Sequence, residues 1–316
     1  MQFRTKVEIP NYPFGIGYEN PGLCIGSCFA SVVGNMMSEL RFPVSVNPFG
    51  PLYNPLSIYN GLEILSYGKT ITENDLFRYG ELWHSFAFHG SFSSVDLESA
   101  LKRMNESVSK ASEIVAKSEF IFITFGTSHY FTHKKSGIVA GNCHKLPSTE
   151  FNRNILSVSD TVNIHNEFSK SLRTVNQRAK MIFTVSPVRH LKNGAHGNNL
   201  DKATLALAVD QIIKSDPDNC FYFPAYEILI DELRDYRFYA DDMCHPSGSA
   251  VEYIREIFGK SFFDPAASGI IKEVEYLNTA KKHKPLNPDS ESYRKFVTRL
   301  ESKEQKLFSE YPFLNG

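Results

Sequence analysis

Net charge is nearly absent from this chain of 316 residues: 34 Lys and Arg stand against 35 Asp and Glu, a formal −1. A balanced chain has no global electrostatic pull toward nucleic acid or an anionic membrane, and neither is expected as a partner. Long apolar runs are also missing. The longest uncharged stretch, Phe42 to Leu62, is interrupted by Pro43, Pro48, Pro51 and Pro55 and by Asn47, Asn54 and Asn60, so it is no spanning helix. The first ten residues, MQFRTKVEIP, hold no apolar run and carry Glu8, and no secretory leader is expected from them. Cysteine is sparse: Cys24, Cys28, Cys143, Cys220 and Cys244 form an odd, scattered set. Such a set implies reduced thiols and a cytoplasmic location. No Cys-x-x-Cys spacing occurs. Cys143-His144 and Cys244-His245 are adjacent pairs, which seldom ligate one ion together, so no metal is expected. Gly15, Gly17 and Gly22 precede the first strand, the wrong context for a phosphate loop, and no cofactor is expected. Repeats, low-complexity tracts and Gly/Ser linkers are absent too.

What is present is an ordinary globular composition, 42% hydrophobic and 22% charged, with raised aromatic content of 25 Phe and 15 Tyr. Short apolar runs alternate with longer amphipathic ones. Strands are expected at Leu23–Gly26, Val44–Asn47, Phe120–Phe125, Met181–Val185 and Cys220–Phe223. Helices are expected at Phe29–Leu40, Pro55–Leu65, Ser157–Val175, Leu200–Lys214, Ala225–Leu233 and Ser247–Phe258. A further long helix, capped by Ser94 and reaching Lys117, has Leu97, Leu101, Met104, Val108, Ala111 and Val115 on one stripe. Alternating strands and helices imply parallel pairing with right-handed crossovers. The fold class is therefore α/β: a three-layer α/β/α sandwich around a five-stranded, parallel, doubly wound sheet. Ile71–Phe92 is irregular and aromatic, an excursion covering one edge. From Ile271 to Glu310, 16 of 40 residues are charged, a density well above the rest of the chain. It reads as two solvated helices broken at Pro285–Pro288. The expected division is an α/β domain over residues 1–264 and a helical extension over 265–316.

Chemistry in such a sheet sits at the carboxyl ends of its strands. The first strand ends in Gly26-Ser27-Cys28-Phe29-Ala30 and runs straight into a helix. A serine there is exposed above the sheet, and its N–H lies near the positive end of the following helix. Serine is also a common helix cap, so this feature has an ordinary structural reading. The second feature is Asp241-Asp242-Met243-Cys244-His245-Pro246-Ser247. An Asp three residues before a His, in a turn, can curl back onto the ring Nδ1–H and leave Nε2 as a base. Asp242 has that spacing and Asp241 does not. Asp-x-x-His alone occurs by chance as well.

Together, a Ser after the first strand and an Asp-x-x-His before the last helix resemble the SGNH, or GDSL-like, hydrolases, whose fold is flavodoxin-like. The pentapeptide Gly26-Ser27-Cys28-Phe29-Ala30 resembles the GSCFA family, which is named for it and usually grouped with that clan. Asn47-Pro48-Phe49-Gly50, Tyr53-Asn54-Pro55-Leu56, Asn142-Cys143-His144-Lys145, Ser186-Pro187-Val188-Arg189-His190 and Arg237-Phe238-Tyr239-Ala240-Asp241-Asp242 resemble the same family. The resemblance implies Ser27 as nucleophile, His245 as general base and then acid, and Asp242 as its orienter. It implies oxyanion donors at Ser27 N–H and, after the second strand, at Gly50. The superfamily's Gly-x-Asn after the third strand is replaced by Gly126-Thr127-Ser128, so Ser128 or Asn142 is expected to donate instead. Arg189 and His190, after the fourth strand, are expected to line the pocket and bind a substrate anion, or else Arg189 pairs with a carboxylate. Cys28 competes with Ser27 as nucleophile, because a thiolate at a helix start is the more reactive group. The implied activity is a serine-dependent esterase or acyltransferase acting on an O-acyl ester of a sugar or small metabolite. The alternatives are a catalytically silent binding module of the same fold, or a Cys28-dependent enzyme.

Overall fold

The computed structural model describes residues 4–315; Met1, Gln2, Phe3 and Gly316 lie outside the described residues. In chain order the elements are β1 Gly22–Gly26, α1 Cys28–Glu39, β2 Val44–Val46, α2 Pro55–Ser66, β3 Phe77–Tyr79, β4 Leu82–His84, α3 Leu97–Lys117, β5 Phe120–Phe125, β6 His129–His133 and β7 Val139–Ala140. They continue with β8 Phe151–Ile155, α4 Val158–Val175, β9 Lys180–Val185, α5 Gly194–Ser215, β10 Cys220–Tyr222, α6 Ala225–Glu227, α7 Gly248–Phe262, α8 Ser268–Lys282 and α9 Glu291–Glu310.

Five strands form one sheet in the order β10-β9-β5-β1-β2, every pair parallel. The apolar runs of β1 and β5 are buried from end to end because helices cover both faces. On one face Leu23, Ile25, Ile121, Ile123 and Phe183 pack with α2, α3, α4 and α5. On the other, Cys24, Phe120, Phe122 and Ile182 pack with α1, α6 and α7. This is the three-layer α/β sandwich. The order reverses at β1, whose neighbours are β2 on one side and β5 on the other. In open α/β sheets the ligand crevice lies at such a reversal, outside the carboxyl ends of the strands, here β1 and β5.

Between β5 and α4, where the sequence suggests no element, the chain forms a small antiparallel sheet, β7-β6-β8. Its strands, HYFTH, VA and FNRNI, are short and do not alternate apolar and polar residues, so the period-2 signal is weak. Phe86, Ala140 and Phe151 make its own small core with the β3–β4 region. The cap of α3 is Asp96, which accepts the Ser99 N–H at 2.8 Å, and not Ser94, whose backbone pairs with Trp83. Asp96 also places its negative charge at the positive helix end. Helix α5 begins at Gly194, six residues before the expected start. Its first turns are polar and glycine-rich, and their inward residues are Asn198, Asp201 and Lys202, which no apolar pattern reveals.

The charged tail folds as α8 and α9. Its apolar residues Val274, Leu277, Leu300, Leu307 and Leu314 join the same core cluster as α1 and α7. Arg41 Nη1 donates to Leu314 O at 3.0 Å, and Phe313 stacks on Tyr18. Among the described residues no helix is long and apolar enough to cross a membrane.

Candidate functional site

Ser27 caps α1 in extended geometry, φ −64° and ψ 177°, directly after β1. Gly26 is required for this turn. Its φ is +133°, and a Cβ there would lie 2.3 Å from Thr124 O. The turn is held by a residue that the sequence does not single out for function, Asn47 at the end of β2. Asn47 Oδ1 accepts the Gly26 N–H at 2.8 Å, and its Nδ2 donates to Ser31 Oγ at 2.7 Å and to Ser27 O at 3.5 Å. Gly126, after β5, has no side chain to keep Ser27 away; a Cβ on it would lie 3.4 Å from Ser27 Cβ. Tyr53 O accepts both the Gly126 and Thr127 N–H groups and so pins that approach.

The Asp242–His245 turn is built from local bonds. Ala240 N–H donates to His245 O, and Met243 sits at φ +57° in the bend. Asp242 Oδ1 accepts the N–H groups of Cys244 and His245, each at 2.9 Å, and Oδ2 accepts from His245 Nδ1 at 2.6 Å. The backbone N–H groups of His245 and Cys244, then the imidazole, hold the Asp242 carboxyl down at about 2. Asp242, not Asp241, thus orients the ring. Both side chains are half exposed, whereas Ser27 is buried. Arg189 N–H donates to Cys244 O at 2.9 Å, which ties this turn to the segment after β9. Ser186 N–H donates to Phe125 O, tying that segment in turn to β5. Ser27, Arg189 and His245 therefore share the carboxyl end of the sheet.

No hydrogen bond joins Ser27 to His245 among the described residues; Ser27 Oγ accepts the Phe29 N–H at 3.3 Å. Of the expected oxyanion donors, the N–H groups of Ser27 and Gly50 and the Ser128 hydroxyl are engaged elsewhere, whereas Asn142 Nδ2 has no hydrogen-bond partner among the described residues. Ser27 N–H donates to Thr124 O at 3.1 Å, extending the β1–β5 ladder, and Gly50 N–H closes a turn onto Asn47 O at 2.7 Å. Ser128 is buried, and its hydroxyl donates to Asp201 Oδ1, which its N–H also approaches. Asn142 Oδ1 caps its own loop by accepting the His144 N–H at 2.8 Å. The first N–H of α1, on Cys28, has no hydrogen-bond partner among the described residues. Cys28 Sγ lies 3.4 Å from Tyr53 Oη.

A polar cluster beneath the site also escapes a reading of the sequence. Asp201 Oδ1 accepts from Ser128 and from His129 Nδ1 at 2.9 Å. Lys202, buried beside it, donates from Nζ to Gly126 O at 2.9 Å and Ser186 O at 2.8 Å, latching the segments after β5 and β9 together. Burial drives the Lys202 amine down to about 7, against the opposing charge of Asp201. His190 donates its N–H to Asn198 Oδ1, and burial lowers its imidazole below the ordinary value. Arg189 is half-buried, and its guanidinium pairs with no carboxylate among the described residues. The expectation of an ion-paired Arg189 is not met. All five cysteines are unpaired, and among the described residues no three His, Cys, Asp or Glu side chains are grouped to hold a metal ion.

Comparison with known families agrees with the motifs along the chain. The sequence model of the GSCFA family matches residues 22–258, and that of the GSCFA domain protein C-terminal domain matches residues 274–316. No curated protein matches the chain.

Proposed function

The chain belongs to the GSCFA family, and from that premise we propose that it is a serine-dependent hydrolase or acyltransferase of the SGNH type. Its substrate is an O-acyl ester of a sugar or small metabolite, and its five unpaired thiols suit a reducing, cytoplasmic compartment. The observation that carries the reading is the Asp242–His245 pair. A carboxylate bonded to two backbone N–H groups and to Nδ1 leaves Nε2 as the basic nitrogen. The strand order β2-β1-β5-β9-β10 supports it, being the flavodoxin-like order with the site at the switch point.

In the proposed reaction Ser27 Oγ attacks the ester carbonyl while His245 Nε2 takes its proton. The oxyanion forms beside Cys28 N–H, the helix-start donor with no other partner. The intermediate collapses, the C–O bond to the alcohol breaks, and His245 returns the proton to the departing oxygen. Water, or an acceptor hydroxyl, then discharges the acyl-Ser27 by the same exchange. Ser27 must give up its contact with Phe29 N–H and close on His245 in the substrate complex, since such bonds tighten when substrate binds.

A second reading is a binding module that keeps the fold without catalysis. The engaged N–H groups of Ser27 and Gly50, and the absence of a Ser27–His245 bond, favour it. Treatment with a fluorophosphonate, read by intact mass and peptide mapping, separates the readings. An adduct on Ser27 is expected. An adduct on Cys28 would reassign the nucleophile, and no adduct would favour the module. With an ester substrate, Ser27→Ala and His245→Ala should each lower kcat about 10³-fold or more, and the double variant little further, because the pair acts as a unit.

A further inference from the structure

Four arginines are partly buried: Arg41, Arg173, Arg189 and Arg255. Three of them are anchored. Arg41 bonds Leu314 O and pairs with Glu304. Arg173 bonds the carbonyls of Gln177 and Ala179 and pairs with Asp216. Arg255 pairs with Glu252 and Glu39. Arg189 alone has neither a hydrogen bond nor an ion pair on its guanidinium among the described residues. A partly desolvated cation without a partner is costly, and a planar guanidinium is shaped for a carboxylate fork.

Its surroundings show where such a partner would lie. The Arg189 backbone is bonded to Cys244, one residue from His245. The phenols of Tyr226 and Tyr239 both feel its positive charge. Three nearby acids are engaged elsewhere: Asp242 with His245, Asp201 with Ser128 and His129, Glu227 with Tyr222. Of the other basic groups nearby, Arg153 is exposed to solvent. Lys202 is committed to two carbonyls, and His190 is held toward its neutral form. Arg189 is the partly buried arginine there without a partner among the described residues, and a single guanidinium fork fits one carboxylate better than a phosphate dianion.

We propose that Arg189 is the anchor for a carboxylate carried by the substrate, so that the ester acted on is that of an acidic molecule. This rests on the hydrolase reading above, and it is tested in two arms that can fail separately. In the first, monomethyl succinate is titrated into full-length Ser27→Ala protein and into Ser27→Ala/Arg189→Gln by NMR, with dimethyl succinate and methyl phosphate as comparison probes. The monoanion should bind, and Arg189→Gln should weaken it about 10-fold or more, while Arg189→Lys restores part, the charge without the fork. In the second, kcat/KM is compared for 4-nitrophenyl acetate and mono-4-nitrophenyl succinate. The succinate-to-acetate ratio should fall about 10²-fold in Arg189→Gln, mostly through KM. Circular dichroism and melting check that each variant is folded. An equal loss on both esters, equal binding of the neutral diester, tighter binding of methyl phosphate, or no binding of the monoanion would each overturn the anchor. Arginine-dependent binding of the monoanion without turnover of either ester would uphold the anchor and overturn the hydrolase reading.

Discussion

Asn47 reaches from the end of β2 to Gly26, its Oδ1 accepting the Gly26 N–H at 2.8 Å. Gly26 is buried, so that N–H has no water to turn to if Asn47 is lost. The same amide holds Ser31 Oγ and approaches Ser27 O, so one side chain spans the turn that presents Ser27. Asn47 itself sits at φ +43°, which asparagine tolerates better than most residues.

Asn47→Ala should therefore destabilise the fold by about 2–4 kcal/mol, through an unsatisfied buried N–H plus left-handed strain. Asn47→Gly removes the strain and keeps the loss of hydrogen bonds, so it should recover only about 1 kcal/mol. Urea denaturation of the two variants measures the split. If Asn47→Gly is as stable as the parent protein, the side chain does not brace the turn.

Gly26→Ala is expected to be among the most damaging small substitutions, costing about 3 kcal/mol or more. Its Cβ would meet Thr124 O at 2.3 Å, in a backbone conformation at φ +133°. Gly137 makes the comparison: φ is +70° with open space around it, so Gly137→Ala carries strain alone, about 1 kcal/mol. Equal melting temperatures for the two variants would show that the close approach to β5 is not limiting.

The Asp242 carboxylate should remain charged well into acid. Its folded value lies near 2, below the ordinary carboxylate range, so its contribution to order is present above about pH 4 and is lost as pH falls through 2. The carboxyl carbon shift of Asp242, followed by NMR, should titrate near 2; titration near 4 would mean that the three bonds are not formed in solution. With an active ester, Asp242→Asn should lower kcat by up to about 10⁴-fold by stabilising the wrong tautomer of His245.

Lys202 should make stability rise with pH. Its folded value is about 7 and its ordinary value 10.5, so between these the unfolded chain holds a proton that the folded chain has shed. The stability difference between the parent protein and Lys202→Met should then widen from pH 7 to pH 10, as the parent gains. Comparing the two cancels the buried Cys24 and Cys220 thiols, both pushed up to about 12, whose effect runs the other way. A difference that stays flat across that range would mean that Lys202 keeps its proton.

The layers of this protein are legible in the chain. β1, β5 and β9 are legible because strands covered on both faces must be apolar throughout, and α3 because its buried stripe repeats along the chain. The Asp242–His245 contact is legible for a related reason: it closes over three residues, so spacing alone specifies it. Bonds between residues distant in sequence are not legible there. Asn47 to Gly26, Ser128 to Asp201, and Lys202 to Gly126 join positions brought together by parallel strand pairing, and a polar residue facing inward leaves no periodic trace. The same pairing assigned the Ser27 N–H to Thr124, while a local turn took up that of Gly50, and Arg189 has no side-chain partner among the described residues. Which donors and charges remain available to a ligand depends on every neighbour a group acquires on folding, and a linear sequence does not contain that sum.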